Sequence, residues 1–219
     1  MRYRPHDLLF LARPGPFGSK GAAFDSGGAW PKWLDAAWLD GAPVVVRRAV
    51  PPAGQVPVGA RGLQRKQRCA GHVAVRDVAR CVTPEMLARR VLENDPEVSN
   101  MAATTPCIAA LLALAPRLHA LGLDWGPVGG AGFWLASGLP VLRPTSDLDL
   151  LVRAPKPLAS DTVAELAALQ HHPARLDVQV DTGIGGFALM EYARGGTVML
   201  KTDDGPRLTS DPWEVRHTA

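Results

Sequence analysis

The chain has 219 residues, of which 47% are hydrophobic and 21% charged, so it is long enough to form two small domains with separate hydrophobic cores. Its formal net charge is only +3, and no apolar run approaches the roughly 20 residues of a membrane span, which excludes a strongly basic protein and an integral membrane protein. Arg, His, Asp and Pro interrupt the N-terminal residues, so we expect neither a secretory signal nor processing.

The cysteines indicate the compartment. Cys69, Cys81 and Cys107 are scattered and form no Cys-x-x-Cys pair, so the sequence predicts neither a disulfide framework nor a structural zinc site. A reducing cytoplasm fits this pattern best.

Residues 1–95 predict a small N-terminal α/β domain. Apolar residues at helical spacing indicate a short helix over residues 31–39, and the β-branched run Val44–Val46 indicates a buried strand. A further strand over residues 56–59 leads into a dense group of cations, Arg61, Arg65, Lys66 and Arg68. The pattern leaves open whether this basic stretch is a strand or a loop.

Residues 96–219 predict a larger α+β domain with a mixed sheet flanked by helices. Thr83, Pro84 and Glu85 are typical of a helix start, and this helix ends before the expected domain boundary near residue 95. The periodicity predicts helices over 106–121 and 160–169, a strand, turn and strand from Trp125 onward, a strand over 176–180, and further strands over 187–192 and 197–201.

Two carboxylates in the second domain indicate a metal site. In a strand over residues 146–152, Asp147 and Asp149 point to the same face, with Cα atoms about 6.5 Å apart. Two carboxylates at this separation repel each other unless a cation lies between them, and Mg²⁺ favours carboxylate and phosphate oxygens. Asp177, on a later alternating strand, adds a third carboxylate, and three such groups suit displacement at phosphorus.

Several other residues are candidates for phosphate binding. Gly129 and Gly130 allow backbone N–H groups to approach a phosphate closely. Arg143 and Lys201 could each contact a phosphate or simply be surface cations. The basic group of Arg61, Arg65, Lys66 and Arg68 is either a solvated loop or a surface for a phosphate or an acidic carrier protein.

The order Gly-Gly, Asp-x-Asp and a lone Asp resembles the nucleotidyltransferase superfamily, although the spacing from Gly130 to Asp147 is longer than usual. The chain as a whole resembles the holo-acyl-carrier-protein synthases of malonate decarboxylase, which are phosphoribosyl-dephospho-CoA transferases. The matching segments are RPHDLLFL, APVVVRRA, VPVGARGLQRKQR, WGPVGGAGFWLASG, PTSDLDLLVRAP, LDVQVDTGIGGFALMEYAR, VMLKTDDGP and DPW.

This resemblance implies attack by a serine of the decarboxylase acyl-carrier subunit on 2′-(5″-triphosphoribosyl)-3′-dephospho-CoA, with release of diphosphate. It implies Mg²⁺ or Mn²⁺ held by Asp147, Asp149 and Asp177, and substrate binding that includes Ser146, with neither a membrane nor a nucleic acid as partner. Gly130 stands where the family commonly has Ser, so one hydroxyl contact to phosphate is absent.

Two other classes of function remain open. A catalytically inactive module of the same fold would bind the nucleotide or the carrier without chemistry, but retention of the three aspartates argues against it. A nucleotidyltransferase acting on RNA or a small molecule predicts a broader basic surface with exposed aromatic residues, whereas the sequence has one compact basic cluster.

Overall fold

The computed structural model describes residues 3–12, 22–25, 31–169 and 174–214, with the backbone alone for residues 22–25. The chain forms two compact units, one comprising Met1–Thr83 and Phe133–Val141, the other comprising Pro84–Gly132 and Leu142–Ala219. Each unit contains one six-stranded sheet and the chain also forms helices, so the α+β prediction is confirmed. In the described ranges, no helix is both long enough and apolar enough to cross a membrane.

The first unit is built on an antiparallel sheet with the strand order β2-β5-β4-β3-β1-β6. Its elements are β1 (Leu8–Leu11), β2 (Ala22–Asp25), α1 (Ala36–Gly41), β3 (Val44–Val46), β4 (Gln55–Arg61), β5 (Arg68–Ala74), a short 3₁₀ helix (Val75–Asp77) and β6 (Val78–Val82). Alternate residues of β3, β4 and β5 face a core that also contains Leu34 and Leu39.

The first helix begins later than the sequence predicts. Helix α1 starts after Asp35, whose carboxylate accepts a hydrogen bond of 2.7 Å from the Trp38 backbone N–H, whereas Pro31 lies in the preceding turn. An aspartate that satisfies an otherwise unpaired N–H is a strong helix start, and it outweighs the Pro31 signal. The predicted strands at Val44–Val46 and at residues 56–59 are confirmed as β3 and β4.

The second unit has a mixed sheet with the order β12-β11-β10-β9-β8-β7. Its strands are β7 (Asp124–Pro127), β8 (Leu148–Arg153), β9 (Leu176–Asp181), β10 (Gly186–Ala188), β11 (Val198–Thr202) and β12 (Gly205–Thr209). Its helices are α2 (Pro84–Leu92), α3 (Pro96–Ala102), α4 (Pro106–Ala120), α6 (Ser160–Ala168) and α7 (Leu189–Ala193). Helix α5 (Gly129–Ser137) starts in this unit, and its later residues belong to the first.

Strands β8 and β9 are the parallel pair of this sheet, and the helix α6 lies between them in the chain. One face of the pair is fully aliphatic, with Leu148, Leu150 and Val152 on β8 beside Leu176, Val178 and Val180 on β9, all buried. The predicted alternation of both strands is therefore confirmed. Strand β8 begins at Leu148, so Asp147 is the residue immediately before it.

Two predictions about the second half differ from the structure. The apolar residues after Gly130 continue helix α5 and form no strand, and residues 189–193 form helix α7 directly after the short strand β10. In both cases an apolar segment without clear periodicity left helix and strand undecided, and packing within the fold selected the helix. The predicted strand over residues 197–201 is confirmed as β11, which pairs with β10 and β12.

The division between the units lies at Thr83 and Pro84, upstream of the predicted boundary at residue 95. Helix α2 packs against β7 of the second unit, which explains why the segment before residue 95 belongs there. Gly126 of β7 makes this packing possible, because a Cβ atom at that position would lie 1.9 Å from the carbonyl oxygen of Pro84.

We therefore expect Gly126→Ala to destabilise the second unit by about 1–3 kcal/mol, since backbone would have to move to admit the methyl group. The control is Gly41→Ala at the end of α1, where the space around the new Cβ is open and the change should be at most about 1 kcal/mol. Urea unfolding followed by tryptophan fluorescence measures both. An unchanged midpoint for Gly126→Ala would contradict the packing of α2 on β7.

Candidate functional site

Strands β8 and β9 place two of the predicted carboxylates side by side. Asp149 and Asp177 are direct partners in the parallel register, so both side chains leave the same face of the sheet. Neighbouring strands lie about 4.8 Å apart, which brings these two residues closer together than the two carboxylates of the Asp-x-Asp motif. Asp147 precedes β8 at the same end of the strand pair.

The three carboxylates are partly open to solvent. Asp177 is exposed, whereas Asp147 and Asp149 are half-buried. Like charges directly opposite each other in a sheet are destabilising, so a pair at this position indicates a function that requires negative charge. Part of that charge is balanced by Arg175, whose guanidinium lies 3.9 Å from the Asp147 carboxylate.

Arg175 was missed by the sequence reasoning. It lies two residues before Asp177, just before β9. Side chains two residues apart in an extended segment point to the same face, and this spacing was the signal available in the sequence. Its side chain is 81% exposed, so this ion pair contributes little to stability and leaves the guanidinium accessible to an anion.

The glycine motif lies directly against this carboxylate pair. The backbone N–H of Val128 donates a 2.9 Å hydrogen bond to the Asp149 carbonyl oxygen, and helix α5 begins at the next residue, Gly129. Gly129 has a φ of +58°, and a Cβ atom there would lie 1.9 Å from an Asp149 carboxylate oxygen. Only glycine satisfies both the backbone conformation and the close approach.

The start of α5 therefore presents backbone N–H groups beside the carboxylates. The first four N–H groups of a helix have no partner within it, and together with the helix dipole they favour an anion. Gly129 and Gly130 are the first two residues of this helix. The long spacing between Gly130 and Asp147 is bridged by the rest of α5 and the segment that follows it, and the chain then returns to bring Asp149 beside Gly129.

Helix α4 also approaches the site. Cys107, in its first turn, is fully buried, and this burial raises the pKa of its thiol. The negative charges of Asp149 and Asp147 raise the same pKa further. Both carboxylates thus act on one buried group at the start of α4. Nothing in the sequence signals this approach.

The donor set is chemically suited to a hard divalent cation. It consists of carboxylates that are accessible to solvent. Gly129 lies close to Asp149 but has no side chain that would occupy the space beside this carboxylate. Within the described ranges, no three His, Cys, Asp or Glu side chains are grouped closely enough to hold a metal ion. Metal binding would therefore draw the side chains of Asp147, Asp149 and Asp177 toward a common point.

Two predicted phosphate contacts lie on the approach to β8. Ser146 accepts a 3.0 Å hydrogen bond at its hydroxyl oxygen from the Arg143 backbone N–H, and its own N–H donates to the Arg143 carbonyl. This turn leads directly to Asp147 and leaves the Arg143 side chain exposed. Lys201 is different, because it lies on β11 at the level of Asp181, two strands away from β9. The structure does not bring Lys201 to the carboxylates.

The basic group in the first unit forms a hairpin. Arg61 and Arg68 are register partners at the ends of β4 and β5, and exposed Arg65 and Lys66 occupy the turn between them. Arg61 is only 8% exposed, and its guanidinium carbon lies 5.1 Å from the centre of the Phe133 ring. A buried guanidinium stacked on an aromatic ring packs within the unit, so Arg61 does not belong to the exposed cations of this hairpin, and its role in substrate binding stays a prediction. The exposed cations are Arg65, Lys66 and Arg68.

Known proteins match nearly the whole length of this chain. Residues 4–84 match the family described as Phosphoribosyl-dephospho-CoA transferase MdcG N-terminal domain, and residues 92–212 match its C-terminal domain. No solved structure matches.

Three relatives illustrate the similarity, each named phosphoribosyl-dephospho-CoA transferase. The protein of Klebsiella pneumoniae (strain 342) is 43% identical over 96% of both chains. That of Pseudomonas aeruginosa is 41% identical over 96% of this chain and 94% of its own, and that of Pseudomonas putida is 43% identical over 99% and 98%. With both domains matched and relatives this similar over nearly the full length, the chain belongs to the phosphoribosyl-dephospho-CoA transferase family.

Proposed function

We propose that this protein transfers phosphoribosyl-dephospho-CoA from 2′-(5″-triphosphoribosyl)-3′-dephospho-CoA to a serine of the malonate decarboxylase acyl-carrier subunit and releases diphosphate. The observation that carries the proposal is the close approach of Gly129, at the start of α5, to Asp149 beside Asp177. This arrangement combines an anion-binding helix start with clustered carboxylates, as transfer of a phosphoryl group requires.

The reaction exchanges a phosphoanhydride bond of the triphosphate for a phosphate ester bond to serine. The serine hydroxyl oxygen forms a bond to the α-phosphorus of the triphosphate, and the bond from that phosphorus to the bridging oxygen of the β-phosphate breaks. Diphosphate leaves with the electron pair of that bond, and the hydroxyl proton is released to solvent. Positioning and neutralisation of charge supply most of the rate enhancement in such transfers.

The chain's own residues supply these two effects. The N–H groups at Gly129 and Gly130 orient phosphate oxygens, and the exposed Arg143 and Arg175 lie at the same end of the strand pair. We assign Asp147, Asp149 and Asp177 as ligands of Mg²⁺ or Mn²⁺, which when bound neutralises the triphosphate and polarises the reacting phosphoryl group. On this basis we classify the second unit as a metal-dependent nucleotidyltransferase.

The partners and compartment follow from the same proposal. The exposed cations Arg65, Lys66 and Arg68 form a surface for an acidic carrier protein or for the triphosphate. Cys69, Cys81 and Cys107 form no disulfide with one another, as is usual for proteins of a reducing cytoplasm. An inactive binding module is not favoured, because such a protein would have no need for like charges held side by side.

The direct test incubates the protein with Mg²⁺, the triphosphoribosyl precursor and the apo acyl-carrier subunit, and weighs the carrier by intact-mass spectrometry. We expect a mass increase equal to phosphoribosyl-dephospho-CoA that disappears with EDTA. An unmodified carrier, with the precursor bound to the protein, would support the binding module instead. Modification that persists in EDTA would remove the metal from the proposal while retaining the transfer.

Asp149→Asn removes a charge at the site with little change in volume, so we expect transfer to fall by at least about 100-fold. The midpoint of thermal unfolding should not decrease, because the change relieves repulsion from Asp177. The matched control is Asp204→Asn at an exposed turn, which should transfer as the wild type does. Wild-type rates in Asp149→Asn would disprove the assignment of this carboxylate.

Gly129→Ala tests the close approach at the start of α5. The added methyl group would meet the Asp149 carboxylate, so transfer should fall at least about 100-fold, which corresponds to the misplacement of reacting groups by about 1 Å. Gly195→Ala is the control, because Gly195 has a similarly positive φ of +78° with open space around its Cβ position. The control shows how much activity is lost through backbone strain at a positive φ alone, so the remaining loss in Gly129→Ala is due to the collision of the methyl group with Asp149. Equal activities in the two variants would contradict the proposed role of Gly129.

Replacement of Arg65, Lys66 and Arg68 together by Ala tests the hairpin. Removal of an attractive charge patch should raise the KM for the carrier or the precursor by about tenfold, with little change in kcat, and the effect should diminish at high salt. Arg89, Lys156 and Arg194 are also exposed, so their triple replacement by Ala is the matched control for loss of net charge. Unchanged KM values for both substrates would identify the hairpin as a solvated loop.

A further inference from the structure

The sheet face that carries the carboxylates also carries a buried ion pair. Arg153 and Asp181 are partners in the β8–β9 register, as Asp149 and Asp177 are four residues earlier on each strand. One guanidinium nitrogen of Arg153 donates to the Asp181 carboxylate. Arg153 is 7% exposed and Asp181 is 5% exposed, so both partners of this ion pair are shielded from solvent.

The contact is part of a larger network. The Nε atom of Arg153 lies 3.1 Å from a carboxylate oxygen of Glu85, in the first turn of α2. The other oxygen of the Asp181 carboxylate accepts a 3.1 Å hydrogen bond from the Gly183 N–H, in the turn that leads to β10. Arg153 therefore connects β8, β9 and α2, and Asp181 connects this group to the turn.

The aliphatic face of β8 and β9 cannot by itself select one register. Leu148, Leu150 and Val152 face Leu176, Val178 and Val180, and a shift of two residues would again pair aliphatic side chains with aliphatic side chains. No tight turn fixes the register either, because the strands are parallel and more than twenty residues separate the end of β8 from the start of β9. The other face of the strand pair can supply this selection.

On that face, the observed register pairs Arg153 with a carboxylate, and neither register shifted by two residues does so. A shift of two residues in one direction places Leu151 opposite Asp181, and a shift in the other direction places Leu151 opposite Asp177 and Arg153 opposite Gln179. Either shift puts a buried leucine against a carboxylate and takes Arg153 away from its partner. The charge of Arg153 would then be buried without the carboxylate opposite it, which is strongly unfavourable.

We infer that Arg153, Asp181 and Glu85 are positioning residues that set the β8–β9 register and thereby hold Asp149 opposite Asp177. The inference rests on the proposed function, since it assigns to the network the task of maintaining a repulsive pair needed for transfer. Fixing the register is the best-attested use of a buried polar group. The network touches no reacting atom, so it acts on the reaction only through the placement of Asp149 and Asp177.

A neutral variant separates register from stability. Arg153→Met, Asp181→Asn and Glu85→Gln combined remove every charge of the network, approximate the side-chain volumes, and leave an oxygen at position 181 to accept from Gly183. Replacing a buried ion-pair network by uncharged groups of similar volume is often neutral for stability. We therefore expect a near wild-type thermal midpoint together with a mixture of registers.

Cysteine crosslinking reads the register without any need for activity. Leu151→Cys with Gln179→Cys places two thiols on register partners, at a Cα separation compatible with a disulfide. Leu151→Cys with Asp177→Cys reports the shifted register, since these positions are not partners in the structure. Each pair is introduced into the native and the neutral background, oxidised, and mapped by peptide mass spectrometry.

In the native background, the first pair should crosslink and the second should not. In the neutral background, the ratio of the first crosslink to the second should fall by at least about fivefold. Arg153→Lys alone retains the charge and should keep the native ratio. An unchanged ratio in the neutral background would overturn the inference whatever the activity, and if that background does not fold, Asp181→Asn alone is measured against the same criterion.

The transfer assay distinguishes failure of the inference from failure of the proposed function. With the register mixed, kcat should fall in proportion to the fraction of molecules that leave the native register, while the KM for the carrier stays unchanged, because only molecules with paired carboxylates are active. If the wild type transfers nothing but crosslinking still depends on the network, the proposed function fails and the register inference stands. If the wild type transfers and the neutral background keeps its kcat, the register inference fails and the proposed function stands.

Discussion

The parallel pairing of β8 with β9 is the constraint on which the rest of the second unit depends. It brings Asp149 and Asp177 together from segments far apart in the chain, and it offers the glycines at the start of α5 a carboxylate to lie against. Two negative charges side by side oppose this pairing. The six buried aliphatic residues on the opposite face of the sheet stabilise the pairing. The ion pair of Arg153 and Asp181, which lies on the carboxylate face at the other end of the strands, opposes a shift of the register.

The same strands thus show where local rules and function conflict. The end of the strand pair that faces α5 carries a like-charged pair, which is unfavourable in a sheet, and it lies against Gly129, where the positive φ and the close approach exclude every other residue. An unfavourable pair of this kind persists where the surrounding structure fixes it. The occurrence of this pair and Gly129 together, at one end of one strand pair, is the strongest physical indication of a site in this protein.

The sequence predicted the placement of these carboxylates because the signal there is local and periodic. The alternation of side chains along β8 and β9 predicted which residues of each strand share a face, and the cap signal at Thr83 and Pro84 predicted the start of α2. Contacts distant in the sequence were invisible. The burial of Arg61 depends on Phe133, and the effect of the carboxylates on Cys107 depends on how α4 packs. Helix α5 was missed because its apolar and glycine residues have no period that separates helix from strand.

The contact of Arg61 with Phe133 also bears on how the protein can be divided. The two family matches, residues 4–84 and 92–212, divide the chain into two successive segments. The folded chain is instead interleaved, since Phe133–Val141 completes the unit formed by the N-terminal residues. A fragment ending at residue 84 would contain Arg61 but would lack Phe133, whose ring the Arg61 guanidinium contacts. The boundary of the module in sequence is therefore not the boundary of an autonomous folding unit.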